Sequence, residues 1–340
     1  MCGIYGIFKL NHNAPHRPSL DCMRDVLTHR GPDASGQFIS EIGAIGNTRL
    51  SILDLDLRSN QPQVSKNKKT IVVANCEIYN YLEIRDELMR NGVSFETNGD
   101  VEVVLKSFEY WGPDFVEKLN GMFAIAILRL EEKTLYLFRD RLGVKPLFYS
   151  RSLASGQFFF ASEIKAINAA MDQKKISDTA VAEFFANNWV PPHKTIFENI
   201  FQLPPGCSMK VTFNEEPSIR KYWNACDIAP EHDMTESEAM AGIIKILDDA
   251  TSIRQRADVE IGAFLSGGVD SSTIVGLMSL NRITKIPTFS VGFEDSRFDE
   301  GKYAELASYR FDTEHCSEKF TIKKLINSWN DVTHYCEQPH

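Results

Sequence analysis

The sequence predicts two structural classes in series: an α+β first part of layered sheets with helices outside, then an α/β part built on a parallel sheet. Three observations predict this. Short β-branched and aromatic runs, punctuated by Gly, Pro and Asn, fill the first half. Two helical patterns are set among them. Beyond residue 260 an apolar strand, a glycine-bearing loop, a helix and a second strand follow in order, the mark of a βαβ unit and hence of parallel pairing.

In chain order, the strand-like runs are residues 4–10, 43–55, 70–75, 122–130, 134–139, 147–150 and 158–161. The helices are expected at 81–91, where Leu82, Ile84 or Arg85, and Leu88 recur at helical spacing, and at 101–110, where Val104, Leu105 and Phe108 do. Residues 187–226 are turn-rich, with Pro191-Pro192 and Pro204-Pro205-Gly206. A long amphipathic helix is expected over 235–257, with Thr235 and Glu238 able to cap it. Then come a strand at 261–265, a loop at 266–272, a helix at 273–280 and a strand at 288–291. The expected domains are 1–210 and 235–340, joined by a linker at 211–234.

The 340 residues suffice for about two domains. A hydrophobic content of 43% and a charged content of 24% fit an ordinary globular chain. The net charge is −9 and no basic stripe occurs, so no nucleic-acid partner is expected. No run approaches the roughly 18 apolar residues of a membrane helix, so no membrane partner is expected. The seven cysteines form no CxxC pair, which argues against a zinc site or a thioredoxin-type motif, and the lack of a signal-peptide pattern argues against a secreted disulfide framework. With no basic and then apolar leader at the N-terminus, a reduced, cytoplasmic protein is expected.

Two segments carry chemistry. The first is Met1-Cys2-Gly3-Ile4. If Met1 is removed, Cys2 holds a thiol and a free α-amine of pKa about 7.7–8.0, so one residue supplies both nucleophile and base. Taken alone, a Met-Cys start also fits a small apolar residue opening a buried strand. The second is Leu265-Ser266-Gly267-Gly268-Val269-Asp270-Ser271-Ser272. Glycines let a backbone approach a ligand closely, and amides at a helix start favour an anion, so this loop reads as a phosphate site with Ser271 and Ser272 opening the helix. It lacks the Gly-Lys-Ser/Thr ending of a Walker loop.

Together with these two, five further segments match one family in order. They are His29-Arg30-Gly31-Pro32-Asp33, Arg49-Leu50-Ser51-Ile52, Asn75-Cys76-Glu77-Ile78-Tyr79-Asn80, Arg139-Asp140-Arg141-Leu142-Gly143-Val144-Lys145-Pro146-Leu147 and Ala161-Ser162-Glu163-Ile164-Lys165. On these the chain resembles the class II, glutamine-hydrolysing asparagine synthetases over nearly its whole length. The resemblance implies a four-layer αββα N-terminal-nucleophile sandwich followed by an ATP-pyrophosphatase domain. It implies that Cys2 forms a thioester with glutamine, and that the Asn75 amide and the Cys76 N–H make the oxyanion hole. Arg49 would meet the glutamine α-carboxylate, and Glu77 and Asp100 the α-ammonium. His29 is expected to shape the loop beside the nucleophile. ATP would lie on residues 265–272 with Val291 and Gly292, with Mg²⁺ near Asp270 and no side-chain metal cluster. The implied partners are glutamine, ATP and a carboxylate acceptor, aspartate first; a homodimer is left open. The alternatives are an amidotransferase for another carboxylate, such as a sugar acid, and a non-catalytic regulatory relative.

Two departures accompany the resemblance. Family members usually carry glycine where Cys76 stands, and a cysteine there is strained if the position requires positive φ. The chain is also short at Glu337-Gln338-Pro339-His340, before a later Ser-Gly-Glu-Gly-Ser-Asp-Glu-type loop, so the ATP domain is expected to be incomplete. Gln338 stands where many relatives have an acid.

Overall fold

A computed structural model describes residues 1–10, 17–152, 155–171, 174–230, 233–280, 284–295, 297 and 299–339; His340 lies outside them, and residues 17–19 are described by backbone alone. The chain divides into two units, Met1–Ile228 with Cys336–His340, and Ala229–Tyr335.

The first unit contains β1 (Gly3–Lys9), α1 (Arg17–Leu27), β2 (Ala34–Ile39), β3 (Gly43–Arg49), β4 (Gln63–Val64), β5 (Thr70–Ile78), α2 (Tyr81–Arg90), α3 (Asp100–Trp111), β6 (Gly121–Arg129), β7 (Thr134–Arg139), β8 (Phe148–Ser152), β9 (Gln157–Ala161), α4 (Ile164–Ala170), α5 (Asp178–Asn187), β10 (Ile200–Gln202), β11 (Cys207–Thr212) and β12 (Ser218–Lys221). One six-stranded sheet runs β10-β8-β9-β1-β3-β2 and the other β12-β11-β7-β6-β5-β4. Their paired strands are antiparallel.

Strand alternation explains the layering. In β1, Ile4 and Phe8 point inward with Ile45, and meet Ile71, Val73 and Leu128 of the other sheet. The intervening Tyr5 and Ile7 point outward to Leu20, Leu27 and Ile164 of α1 and α4. On the far side Val72, Ile125 and Ile127 meet Leu88, Val104 and Phe108 of α2 and α3. The layers are therefore helix, sheet, sheet, helix, the αββα order expected. Burial on both faces is also why β1, β5 and β6 read as nearly unbroken apolar runs.

The expected strands and helices fall on β1, β3, β5 to β9, α2 and α3. Residues 50–55, expected to continue β3, are loop. Residues 211–221, expected in a linker, hold the end of β11 and all of β12; their exposed outer positions give little apolar signal. The turn-rich stretch likewise contains the short strand β10.

The second unit contains α6 (Glu236–Ile253), β13 (Ala263–Phe264), α7 (Val269–Leu280), β14 (Pro287–Phe293), α8 (Gly301–Phe311), β15 (Glu314–Phe320), α9 (Ile322–Asn327) and α10 (Trp329–Cys336). Thr235 and Glu238 form a capping box at α6. Strands β13, β14 and β15 are parallel, as expected. The helix after the loop begins at Val269 rather than at Ser271 or Thr273, and only two residues of the strand expected at 261–265 pair. Leu265, Val275 and Ala304 make a small core. No described helix is long and apolar enough to cross a membrane.

Candidate active site

Cys2 precedes β1, whose Gly3 pairs with Thr48 of β3. That register brings the sulfur to the end of β3. The Leu50 N–H donates to Cys2 Sγ at 3.4 Å, and the thiol donates to the Leu50 carbonyl at 3.6 Å. The Cys2 carbonyl accepts from Arg30 Nε at 3.0 Å, and Arg30 Nη1 donates to Glu163 at 2.8 Å. His29 Nε2 lies 3.0 Å from the same carboxylate. Burial pushes the Glu163 carboxyl up, but hydrogen bonds from Arg30 and Lys165 outweigh it and hold it below its ordinary value. Burial raises the Cys2 thiol against the opposing Leu50 N–H, and burial also holds the Met1 amine below 8.0.

The second wall is the end of β5. Asn75 and Glu77 share the inward face of Val73, whereas Cys76 shares the helix-side face of Val72 and Ala74. Asn75 is 2% exposed, and its Nδ2 is buried without a hydrogen-bond partner. An orphaned donor of that kind calls for a reason. The Cys76 N–H direction follows from its neighbours. Ala74 N–H donates to Gln61 Oε1 at 2.6 Å, and Ile78 N–H to Asp100 Oδ2 at 3.0 Å, both on the edge away from β6. Phe123, opposite Cys76, turns its own N–H and carbonyl to Asp140. The Cys76–Phe123 pair is therefore a non-hydrogen-bonded one, and the Cys76 N–H points to the open edge. There one cavity is lined by Cys2, Arg49, Cys76, Glu77 and Asp100. Cys76 thus shares this cavity with the Cys2 sulfur, and Asn75 precedes it on the same strand. Cys76 lies in regular strand with no positive φ, so the feared strain is absent.

Glu77 and Asp100 are among the carboxyls that line this cavity. Burial, with Asp100 next to it, pushes Glu77 up to about 7. Asp100 opens α3, is 5% exposed, and is raised by burial against the backbone N–H groups it accepts from. Arg49 is buried at the rim. Its Nη1 donates to Asn60 Oδ1 at 2.7 Å and its Nη2 to the Asp54 carbonyl at 2.6 Å, so the guanidinium is committed to the loop after β3.

Three contributors escaped sequence reasoning. Lys145, 4% exposed, places its charge near Glu77, Cys76, Arg30 and Cys2; burial lowers it and Glu77 opposes that. Its N–H donates to Asp140 Oδ2 and its carbonyl accepts from Arg139 Nε, each at 2.9 Å. The signal was a run of charges, 139–145, between two apolar strands. Asp54, at φ 49, accepts from Ser59 Oγ and the Asn98 N–H, each at 2.6 Å, and so ties the Arg49 loop to the turn before Asp100. Gln61 completes the β5 edge. Neither of these two carries a local signal.

In the second unit, Leu265, Ser266 and Val291 line one cavity, with Phe264, Ser290 and Glu300. Gly292 faces away from it, toward Asp299. Gly267 has φ 81, and a Cβ there would lie 2.3 Å from Tyr303 backbone, so only glycine fits. Gly268 N–H donates to Ser266 Oγ at 3.3 Å, and Ser266 and Ser271 hydroxyls are 3.0 Å apart. Val269, Asp270, Ser271 and Ser272 form the first turn of α7, whose amides suit an anion. No cluster of three His, Cys, Asp or Glu that could hold a metal occurs among the described residues.

Comparison with known proteins agrees with this division. Residues 1–223 match the model of the glutamine amidotransferase domain, and residues 242–340 that of asparagine synthase. Asparagine synthetase [glutamine-hydrolyzing] 1 of Bacillus subtilis is 31% identical over 100% of this chain and 53% of its own. Amidase chyE of Penicillium rubens is 30% identical over 93% of this chain and 48% of its own. The chain thus spans about half the length of these curated relatives. A solved structure titled as the allosteric regulatory enzyme of purine biosynthesis aligns with TM-score 0.51 at 13% identity, over 94% of this chain and 80% of that one, and shares the fold.

Proposed function

Because the chain belongs to the glutamine amidotransferase domain family, with an asparagine synthase segment after it, we propose that its first unit hydrolyses glutamine at Cys2 and that its second binds ATP for amidation of a carboxylate. The observation that carries this is the cavity that Cys2 shares with Arg49, Cys76, Glu77 and Asp100, with the Cys76 N–H directed to the open edge of β5.

The N-terminal amine, freed by loss of Met1, takes the thiol proton as sulfur attacks the glutamine amide carbon. The oxyanion that forms is held by Asn75 Nδ2 and the Cys76 N–H. The amine returns the proton to the departing nitrogen, the C–N bond breaks, and ammonia leaves a thioester. Water then cleaves the C–S bond to give glutamate and restore the thiol. Glu77 and Asp100 receive the α-ammonium. Arg49 receives the α-carboxylate by exchanging a loop carbonyl for it.

In the second unit, residues 265–272 and Val291 support ATP binding, with Gly292 as a backbone element of the same strand end. The glycine-built turn and the helix start fit a pyrophosphate group. Mg²⁺ would neutralise phosphate charge, and Asp270 in the first turn of α7 is the acid proposed to hold it. An acceptor carboxylate is adenylated with release of pyrophosphate, and ammonia displaces AMP to give the amide. Aspartate is the first acceptor to test. The likeness to an amidase-named protein favours trying other carboxylic acids beside it. Cytoplasmic residence and a homodimer remain part of the proposal.

The test is intact mass after exposure to a glutamine-like electrophile, with glutamate release measured alongside. The expected result is a chain lacking Met1 with one label on Cys2, and no glutamate release by Cys2→Ala. Labelling that leaves Cys2 free would overturn the proposal.

A further inference from the structure

At position 76 this chain carries a side chain where the family it resembles usually carries none, and the structure gives that side chain a partner. Cys76 Sγ donates to Asp100 Oδ2 at 3.4 Å, on the helix side of β5. The Ile78 N–H reaches the same oxygen at 3.0 Å. Two donors two residues apart on one strand therefore converge on one carboxylate oxygen at the start of α3. Such convergence fixes the rotation of a buried carboxyl group, which would otherwise choose its own plane. Burial first, then the neighbouring Asp100 and Glu77, keep the thiol protonated, so it remains a donor.

We infer that Cys76 is a positioning residue for the amide donor: its thiol orients the Asp100 carboxylate that receives the α-ammonium, and so sets affinity for α-amino donors. This rests on the proposed glutamine site and adds to it a role for the side chain at 76, separate from the oxyanion role of its N–H. A methyl group at 76 leaves that N–H in place and removes only the donor. A hydroxyl restores a donor at the same place.

The experiment measures binding of glutamine, and of the analogue lacking the α-amino group, to Cys2→Ala protein by calorimetry, with Cys76, Cys76→Ala and Cys76→Ser. Expected is about fivefold weaker glutamine binding in Cys76→Ala, the worth of one modest hydrogen bond. The deaminated analogue should bind all three alike, and Cys76→Ser should recover most of the loss. In chains with Cys2 intact, the same substitution should raise KM and leave kcat within about twofold. A general packing defect would weaken both ligands and lower kcat, and that overturns the inference. Equal glutamine affinity in all three variants also overturns it while the glutamine site stands. Absence of glutamine binding in the Cys76 parent overturns the glutamine site and the inference together. Should Cys76→Ala fail to fold, Cys76→Gly replaces it in the same comparison.

Discussion

Asn75 presents a buried side-chain nitrogen with no hydrogen-bond partner. Replacing it with alanine should cost about 10²-fold in kcat for glutamine hydrolysis with little change in KM, the pattern of a donor used in the transition state. Steady-state rates across glutamine concentration check this. Glu77 is held above its ordinary 4.5, at about 7, by burial and by Asp100. A carboxyl raised on folding favours the fold while protonated, and that contribution fades as pH rises from about 4.5 through about 7. Glu77→Gln should therefore raise the melting temperature at pH 8 relative to wild type, leave it unchanged at pH 4, and weaken glutamine binding at pH 8. Melting curves at the two pH values decide it. Cys2, Asn75 and Glu77 were singled out in the sequence because each sits in a short segment that carries the family resemblance, and Asp100 because the resemblance implied it. Asp54 and Gln61 were not, because each works through one hydrogen-bonded contact that only tertiary folding creates.

Among the elements, β5 is the one on which the site depends, and its edge is maintained by a side chain. Gln61 accepts the Ala74 N–H at 2.6 Å and donates to the Ala74 carbonyl at 3.0 Å, doing for one residue what a neighbouring strand would do. Gln61→Leu should cost about 1–3 kcal/mol in denaturant unfolding of the first unit, since two buried backbone groups lose their partners. Elements buried on both faces, β1, β5, β6 and β7, were plain from unbroken apolar runs. Edge strands β2, β4, β10 and β12 were not, because exposed positions dilute the pattern and their pairing is set by neighbours distant in sequence. The start of α7 was placed too late for a related reason. Val269 looks like strand or loop on propensity, yet it is the turn at Gly267 that sets where the helix begins.

At the scale of the molecule, each unit has its own core: three clusters in the first, and one around Leu265, Val275 and Ala304 in the second. Val275→Ala should lower the stability of the second unit by about 1–3 kcal/mol. Glutamine hydrolysis should stay within about twofold, read from denaturation and glutamate release on the same preparation. The two classes of sheet were predictable because antiparallel runs joined by short turns and a βαβ unit leave different spacings in a chain. The return of Glu337 to the first unit, where it accepts the Ile164 and Lys165 N–H groups at 2.9 and 2.7 Å, left no such trace.

The brevity of β4 has a consequence for how such a centre could be lost. Its pairing stops at Gln63 opposite Val72, and continuing the same register would set Ser59 against Cys76. A few more rungs on that ladder would cap the Cys76 amide with a carbonyl from its own chain. The hole for the oxyanion would close with every reacting side chain still in place. If the proposed glutamine chemistry holds, it depends on a sheet left unfinished, and a small lengthening of a hairpin should silence it as thoroughly as removing the sulfur.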